Sequence, residues 1–294
     1  MLTLTFLGVG SAFAKRNYQS NALVEAWSTG PARQEAPDDT LLIDFGATGP
    51  LALHELKDHP GFSYLDHEGT INYPVIRTVF VTHTHGDHIG GLEELAGMNM
   101  HYYRGLLPAV RRRPCLTAAA GVLALLWEGS LKGGLGALAG QNARLEDYFD
   151  VLALRPAGSV GADRFTMLER YEFSPFPTDH IQVRTKFDWP SFGLLIRDRE
   201  TRQTVFYSGD TRFDPETYGD MLAAARLNFH EVQLEDQPAP VHACLSELRT
   251  LPAAIRRKTV IYHYGDSWDC GVYDFVADEF AGFATPRVRY TLFD

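Results

Sequence analysis

A dense group of potential metal ligands lies within one short stretch of this sequence. The run is His83-Thr84-His85-Gly86-Asp87-His88. Imidazole and carboxylate side chains are ligands of divalent first-row metals such as zinc, iron and manganese. His83, His85 and Asp87 alternate along the chain, so in an extended loop their side chains can point the same way. Because the whole chain has only 11 histidines, a polar loop that is His-rich by accident explains this density poorly. The run therefore predicts a metal site.

Regular elements on both sides would hold this cluster in place. The apolar residues 75–82 predict a strand directly before the cluster, and residues 88–97 predict a helix after it. Apolar patterning predicts further strands at residues 2–7, 22–27, 40–45, 164–176, 192–198, 204–208 and 259–262, and further helices at residues 50–57, 116–127, 218–226 and 245–256.

Three more candidate ligands each follow one of these predicted strands. They are His180, Asp210 and His263. The end of a strand is a place where a rigid scaffold can hold a ligand. Taken alone, His180 or His263 would more often be an ordinary surface or core histidine. Asp210 is the stronger candidate, because a carboxylate can bridge two metals and a neutral imidazole cannot readily do so.

Length and composition fit a globular protein with a sizeable core. The 294 residues, 45% hydrophobic and 22% charged, suit one large α/β domain or two small ones. No apolar run approaches the roughly 20 residues of a membrane span, and no membrane partner is expected. Cys115, Cys244 and Cys270 lie far apart, which favours free thiols and a cytoplasmic location. The net charge of −10 disfavours broad electrostatic binding of nucleic acids.

The pattern His83-x-His85-x-Asp87-His88 after a buried strand resembles the signature of the metallo-β-lactamase fold superfamily of hydrolases. The resemblance implies an α/β fold, a four-layer αββα sandwich in which residues 1–294 form a single domain. It implies an active site at one edge of the sandwich. Residues 98–160 match the family poorly, and we expect them to form an inserted lid or dimer segment.

The same resemblance implies a binuclear centre with two divalent metal ions, zinc first, with manganese or iron as alternatives. Asp210 would be shared between the two metals. The first metal would take His83, His85, His180 and Asp210, and the second would take Asp87, His88, Asp210 and His263.

Several shorter matches resemble one branch of the superfamily, the ribonuclease Z-like phosphodiesterases. They run from the first predicted strand to the region of the last candidate ligand, His263. In the segment that contains Glu231, Val232 stands where the branch has an alanine. The matching segments are Phe6-Leu7-Gly8-Val9-Gly10-Ser11-Ala12, Gly209-Asp210-Thr211, Phe229-His230-Glu231-Val232, Pro190-Ser191-Phe192-Gly193 and the position of His242.

This second resemblance implies phosphodiester hydrolysis by a metal-bound hydroxide. Asp87 could hold that hydroxide as well as ligate a metal. His242 would act as general acid or phosphate stabiliser for the departing alkoxide, and Glu231 could orient its ring. A surface histidine at 242 and a solvated carboxylate at 231 are the ordinary alternatives.

The substrate expected from these features is small. No long Gly-Pro-rich arm of the kind that grips tRNA is evident, so a cyclic nucleotide, a short RNA or another small phosphodiester is favoured over tRNA 3′ processing. A homodimer is expected from the branch. The alternatives are a hydrolase of a lactone, β-lactam or thioester, a di-iron oxidoreductase, and a non-catalytic accessory protein on the same fold.

Overall fold

Most strands of the described residues belong to two seven-stranded sheets. The computed structural model describes residues 1–33, 35–104, 113–156, 162–181, 189–237 and 240–294. In chain order, the strands within these ranges are β1 (Leu2–Gly8), β2 (Asn21–Ala26), β3 (Asp39–Ile43), β4 (Asp66–His67), β5 (Thr70–Ile71), β6 (Thr78–Phe80), β7 (Cys115–Ala119), β8 (Ala137–Leu138), β9 (Gln141–Asn142), β10 (Asp150–Leu154), β11 (Phe165–Met167), β12 (Tyr171–Thr178), β13 (Ser191–Asp198), β14 (Thr204–Tyr207), β15 (Leu227–Glu231), β16 (Thr259–Tyr262), β17 (Gly282–Phe283) and β18 (Arg289–Phe293).

The helices of the described residues are short. The longest, Pro215–Ala224, has Pro215 in its first turn, and the Asp214 side chain accepts a hydrogen bond from the Thr217 amide. The α-helices are Gly49–Leu56, Gly86–Ile89, Leu92–Gly97, Ala120–Leu126, Lys132–Leu135, Leu145–Tyr148, Pro215–Ala224, Leu245–Leu248, Ala253–Arg256 and Val276–Glu279, joined by 3₁₀ turns at Ser63–Leu65, Tyr73–Val75 and Gly271–Tyr273 and by π-helical turns at Met98–Tyr103 and Trp127–Leu131. None of the helices in the described ranges is long and apolar enough to span a membrane.

Contacts divide the chain into two units, each built on one sheet. Unit 1 comprises Met1–Gly8, Asn21–Leu154 and Arg287–Asp294, and unit 2 comprises Val9–Ser20 and Arg155–Pro286. The sheet of unit 1 has the strand order β10-β7-β6-β3-β2-β1-β18, and the sheet of unit 2 has the order β11-β12-β13-β14-β15-β16-β17. Both sheets are mixed. In unit 1, strands β3, β6, β7 and β10 run parallel, and in unit 2, strands β14 to β17 do.

Strand β1 shows how fully the centre of unit 1 is enclosed. All seven of its residues are buried, including Thr3 and Thr5 on the face opposite Leu2 and Leu4. The helix Gly49–Leu56 contacts β1 through a buried stripe of Gly49, Ala52, Leu53 and Leu56. That spacing is the period of a helix that turns one face to a core.

The predicted helix at residues 116–127 is wrong over its first part. Residues Cys115–Ala119 form β7, which pairs in parallel with β6 and β10, and the helix begins only at Ala120. A short run of apolar residues does not distinguish a buried strand from a buried helix by periodicity. Strands β7 and β10 lie within the expected insert at residues 98–160, so part of this segment belongs to the sheet of unit 1. Residues 105–112 and 157–160 of it lie outside the described residues.

Two predicted helices are each interrupted, and the predicted strand at residues 75–82 is shorter. The segment 88–97 contains the helices Gly86–Ile89 and Leu92–Gly97, which are separated at Gly90-Gly91. A Cβ atom at Gly91 would lie 2.8 Å from the Gly46 carbonyl oxygen. The backbone at residue 46 therefore leaves no room for a larger residue at position 91. The segment 245–256 breaks before Pro252, which lacks the amide hydrogen of a continuing helix. Strand pairing before the ligand loop is limited to Thr78–Phe80.

Parallel strands place the candidate ligands at their carboxyl ends. In unit 1, the run from His83 follows β6. In unit 2, Asp210 follows β14, Glu231 is the last residue of β15, and His263 directly follows β16. The carboxyl ends of parallel strands are the usual place for ligand-binding residues in α/β sheets.

Candidate metal centre

In unit 1, the first cluster brings four candidate ligands together. The Nε2 atom of His83 lies 2.9 Å from Nδ1 of His85, and Nε2 of His88 lies 3.3 Å from a carboxylate oxygen of Asp87. Two nitrogens bound to one tetrahedral zinc would lie about 3.3 Å apart, given Zn–N distances of about 2.0–2.1 Å. The spacing of these atoms therefore fits a divalent metal.

A buried carboxylate, Asp44, orients the imidazoles of this cluster. Its Oδ2 atom lies 2.8 Å from His88 Nδ1 and accepts a hydrogen bond of 2.7 Å from the Thr82 hydroxyl. Because that hydroxyl donates to Asp44, it accepts from His83 Nδ1, which lies 3.0 Å away. Both histidines thus carry their proton on Nδ1, and Nε2 is the nitrogen suited to a metal. Hydrogen bonds of this kind fix the tautomer of metal-ligating histidines.

Asp44 has an unusual backbone conformation, with φ at 61°. Aspartate tolerates the left-handed region better than most residues, and such strain collects at functional sites. The turn that follows is equally constrained. A Cβ atom at Gly46 would lie 1.8 Å from the Asp87 carbonyl oxygen, so only glycine lets the ligand loop pass. Asn21 bridges the two segments, accepting from the Gly46 amide at 2.8 Å and donating to the Asp87 carbonyl at 3.1 Å.

In unit 2, three imidazoles surround Asp210. Its Oδ2 atom lies 3.5 Å from Nε2 of His263, 3.9 Å from Nε2 of His180 and 3.9 Å from Nδ1 of His242. Asp210 is 1% exposed. A buried carboxylate beside several imidazoles suits a divalent metal, because the cation compensates the buried negative charge.

Backbone contacts hold the members of the unit 2 cluster in place. The Asp210 carbonyl accepts hydrogen bonds from Thr178 at the end of β12 and from Ser191 at the start of β13. The His180 Nδ1 atom donates to the Val241 carbonyl over 2.7 Å, which again makes Nε2 the nitrogen suited to a metal. His263 has φ at 62°, so this residue also adopts the left-handed conformation seen at Asp44 in unit 1.

Glu231 and His242 form a pair beside Asp210. The His242 Nδ1 atom lies 3.1 Å from Oε1 of Glu231. The same oxygen accepts from the Thr211 amide at 3.0 Å and the Ala243 amide at 3.3 Å. Glu231 is fully buried, while the His242 side chain is 21% exposed. A fixed, buried carboxylate therefore orients a histidine whose ring reaches solvent.

Burial controls the titration of two residues of these clusters. Burial lowers the pKa of His180, while the nearby Asp210 carboxylate acts in the opposite direction. A lowered pKa keeps this imidazole neutral near pH 7, the form that binds metals. Burial raises the pKa of Asp44, and the hydrogen bonds from His88 and Thr82 oppose that shift.

The structure places all nine predicted site residues in two groups, one in each unit. Unit 1 holds His83, His85, Asp87 and His88, and unit 2 holds His180, Asp210, Glu231, His242 and His263. The neighbouring His230 has a different role. Its Nδ1 atom contacts the Glu231 carbonyl at 2.7 Å, and its Nε2 atom contacts the Tyr218 hydroxyl at 3.2 Å. Both of its nitrogens are occupied inside the protein.

Sequence analysis assigned no role at the site to the supporting residues Asp44, Thr82 and Asn21. A signal for Asp44 was present, since Asp44-Phe45-Gly46 directly follows an apolar strand and a turn with aspartate and glycine suits backbone at positive φ. Thr82 and Asn21 carried no comparable signal, because their contacts join segments far apart in the sequence.

Solved structures with similar folds cover nearly the whole chain. The metallo-β-lactamase fold protein YhfI from Bacillus subtilis has a TM-score of 0.65 at 15% identity, covering 98% of each chain. Yeast PDE1 without ligand has a TM-score of 0.66 at 14% identity, covering 97% of this chain and 98% of its own. The short form of human tRNase Z has a TM-score of 0.62 at 17% identity, covering 99% of this chain and all of its own. The predicted αββα metallo-β-lactamase fold is confirmed.

Curated relatives share much more sequence. An Anti-Pycsar protein Apyc1 of Paenibacillus harenae is 34% identical over 267 residues, which are 90% of this chain and 91% of the relative. A protein of the same name from Bacillus phage vB_BsuM-Goe3 is 34% identical over 291 residues, or 98% of this chain and 94% of the relative. The sequence model of the family described as Anti-Pycsar protein Apyc1 matches residues 2–290. The chain therefore belongs to the Anti-Pycsar protein Apyc1 family.

Proposed function

We propose that this protein is a binuclear, metal-dependent phosphodiesterase that acts on a cyclic nucleotide or another small phosphodiester. The observation that carries the proposal is the contact of 3.1 Å between His242 and the buried Glu231, beside the Asp210 and His263 pair. Metal ligands alone would serve many hydrolases. An oriented histidine next to them is what departure of an alkoxide from phosphorus requires.

The proposed centre takes the ligand set that the family resemblance implies. Within each unit, imidazoles and carboxylates converge with spacings that suit metal coordination, which supports the proposal. The first metal would be held by His83, His85, His180 and Asp210, and the second by Asp87, His88, Asp210 and His263. Divalent metals there, zinc first, would supply a nucleophile from water at neutral pH and neutralise charge on the phosphoryl oxygens.

The residues of the chain divide the proton transfers between them. The Asp87 carboxylate, next to His88, would accept a proton from the attacking water. His242 holds its Nδ1 proton against Glu231, so its Nε2 atom is the one that gives a proton to the leaving alkoxide. Glu231 stabilises the charged imidazole before that transfer and fixes the direction of the ring.

The net charge of the chain supports a small substrate. A protein with a net charge of −10 repels a long polyanion, whereas a small substrate with one phosphodiester is attracted locally by the metals. The Apyc1 family, to which the chain belongs, is not named for tRNA processing, which supports a small phosphodiester over tRNA. The homodimer expected from the sequence stays a prediction.

Metal content and hydrolysis, measured on the same preparation, test this proposal. We expect about two metals per chain and turnover of bis-p-nitrophenyl phosphate and 3′,5′-cyclic nucleotides with zinc, manganese or iron. His85→Ala and Asp210→Ala should lose metal and activity together, while His54→Ala, an exposed histidine outside both clusters, should retain both.

The rival functions give different results. Two metals with turnover of a lactone, β-lactam or thioester, and none of any phosphodiester, would reject the proposal. Bound iron with a visible absorption band and redox activity would indicate a di-iron oxidoreductase. Cleavage of precursor tRNA in preference to cyclic nucleotides would indicate a tRNA-processing enzyme, and a protein without metal would be an accessory protein.

A further inference from the structure

Phe13 is a phenylalanine held out into solvent. It is 87% exposed, more than any other exposed large hydrophobic residue in the described ranges. Single exposed apolar residues are ordinary on protein surfaces, so exposure alone says little. What sets Phe13 apart is the rigidity and the position of the loop that carries it.

The loop around Phe13 is fixed on both sides of the residue. The Ala14 amide donates to the Ser11 carbonyl over 3.1 Å, and the Gln19 side chain donates to the Ala12 carbonyl over 3.1 Å. A Cβ atom at Gly10 would lie 2.7 Å from the Cβ atom of Ala14, so the loop is closely packed on itself. The exposure of Phe13 is therefore a property of a well-determined turn.

The loop is attached to the residue that follows the candidate ligand His263. The Ser11 amide donates to the Tyr264 carbonyl over 3.1 Å, and the Tyr264 amide donates to the Val9 carbonyl over 3.2 Å. Tyr264 itself is buried, and its hydroxyl donates to the Ala284 carbonyl over 2.7 Å. A short path thus joins Phe13 to His263. Ser11, two residues before Phe13, is hydrogen-bonded to Tyr264, which directly follows His263.

A second attachment prevents the loop from turning away. The Lys15 and Arg16 amides donate to the two carboxylate oxygens of Asp266 at 2.7 and 2.9 Å. The Arg16 guanidinium makes a two-pronged contact with Asp269, at 2.6 and 2.5 Å. Such a bidentate pair fixes direction as well as distance. The segment that starts at His263 thus binds the Phe13 loop within unit 2 at two points, first through Tyr264 and then through Asp266 and Asp269.

From this arrangement we infer that Phe13 is a specificity-determining residue whose ring stacks on the planar base of a nucleotide substrate. The inference rests on the proposed function, because it takes the phosphodiester to bind at the metal ligands that include His263. In a nucleotide, one sugar separates the base from the phosphate. A rigid loop beside the metal-ligand candidate His263 can therefore contact the base while the phosphate lies at the metals. An aromatic face stacks on any base, since every base has a π-face. We therefore expect Phe13 to promote binding of nucleotides without distinguishing among bases.

The test compares substrates with and without a base. Wild type, Phe13→Ala, Phe13→Trp and the control Val272→Ala, at another exposed apolar residue of unit 2, are assayed on 3′,5′-cyclic nucleotides and on trimethylene phosphate, a cyclic phosphodiester without a base. Phe13→Ala should raise KM for cyclic nucleotides roughly 5- to 150-fold, the range that loss of one stacking contact gives. It should leave kcat and the turnover of trimethylene phosphate within about twofold of wild type. Phe13→Trp should restore the wild-type KM.

Binding is measured independently of turnover, by calorimetry with a cyclic phosphorothioate nucleotide and metal-loaded protein. Weaker binding by Phe13→Ala with unchanged metal content supports the inference, even if wild type proves to hydrolyse no cyclic nucleotide and the proposed function fails. Equal binding by wild type and Phe13→Ala overturns it, and so does an equal loss on trimethylene phosphate, which would make Phe13 a structural residue. A wild type that binds no nucleotide overturns both proposals.

Discussion

The Nδ1 atom of His88 lies 2.8 Å from Oδ2 of Asp44, a carboxylate that is 44 residues away in the sequence. Asp44 is fully buried, and it reaches His83 as well, through the hydroxyl of Thr82. One carboxylate thus sets the tautomer of two candidate ligands. The metal-binding ability of the His83–His88 run therefore depends on a residue that carries no ligand atom itself.

Replacing Asp44 should weaken metal binding without removing a ligand. In wild type, His88 Nδ1 and the Thr82 hydroxyl donate to Oδ2 of Asp44. In Asp44→Asn, an NH₂ group would replace that oxygen, so both donors would lose their acceptor. Loss of such a partner typically lowers metal affinity 10- to 100-fold, and we expect about that change. Competition with a chelator of known affinity measures it. Asp58→Asn, at an exposed aspartate of unit 1, is the control, and an unchanged affinity in Asp44→Asn would show that the contact is incidental.

A substitution at Gly46 tests the close approach of its turn to the backbone of the ligand loop. In Gly46→Ala, the added Cβ atom would meet backbone of the ligand loop at 1.8 Å, which no rotation of a side chain can relieve. We expect a loss of at least about 2–3 kcal/mol of unfolding free energy, at the upper end of the cost of overpacking, together with reduced metal content. Urea denaturation and metal analysis measure the two effects.

Gly97→Ala is the matched control for that substitution. A Cβ atom at Gly97 would meet nothing within 4 Å, and alanine favours helix more than glycine by about 1 kcal/mol. We expect this variant to be as stable as wild type or slightly more stable. If Gly46→Ala behaved in the same way, the close approach of the two segments would be refuted.

Sequence patterns predicted the strands that carry ligands better than the elements between them. Strand β16 has the predicted limits, residues 259–262, and β14 differs from its prediction by one residue. These strands are buried apolar runs with a polar residue directly after them. Strand β7 was predicted as helix, because apolar residues of a strand enclosed on both sides show no alternation.

The candidate ligands could be predicted and their supports could not. Histidine and aspartate at strand ends are recognisable from residue type and position. The contacts of Asn21 with Gly46 and Asp87, by contrast, join three segments through two hydrogen bonds, and nothing in the type of residue 21 specifies its partners. Such tertiary contacts follow only from the fold, which the sequence indicated here through resemblance.

An ion pair of unit 2 with a buried carboxylate gives a prediction for the pH dependence of stability. Arg170 makes a bidentate contact with Asp198, at 3.0 and 2.8 Å, and its hydrogen bonds lower the pKa of the buried Asp198 to about 2. Because the folded-state pKa lies below the unfolded value of about 3.9, the ionised carboxylate stabilises the fold above pH 4. That stabilisation declines as the pH falls towards 2.

Asp198→Asn should therefore cost about 2–3 kcal/mol of unfolding free energy at pH 7, the equivalent of this pKa shift. The difference from wild type should shrink as the pH is lowered from 4 to 3. Urea denaturation at pH 7, 5, 4 and 3 provides the measurement, with Asp220→Asn, at an exposed helix position, as control. A difference that stays constant down to pH 3 would contradict the assignment.

A substitution at His242 should separate catalysis from metal binding. Its Nδ1 atom lies against Glu231, and in the proposed centre it is not a ligand. His242→Ala should therefore lower kcat on phosphodiesters about 10²- to 10⁴-fold, the usual contribution of a general acid, while about two metals remain bound. The loss should be smaller for bis-p-nitrophenyl phosphate than for a cyclic nucleotide, because nitrophenolate leaves without needing a proton and an alkoxide does not. Kinetics on both substrates with metal analysis of the same samples decide the point. Equal losses on both would assign His242 to positioning, and metal loss in the variant would make it a ligand.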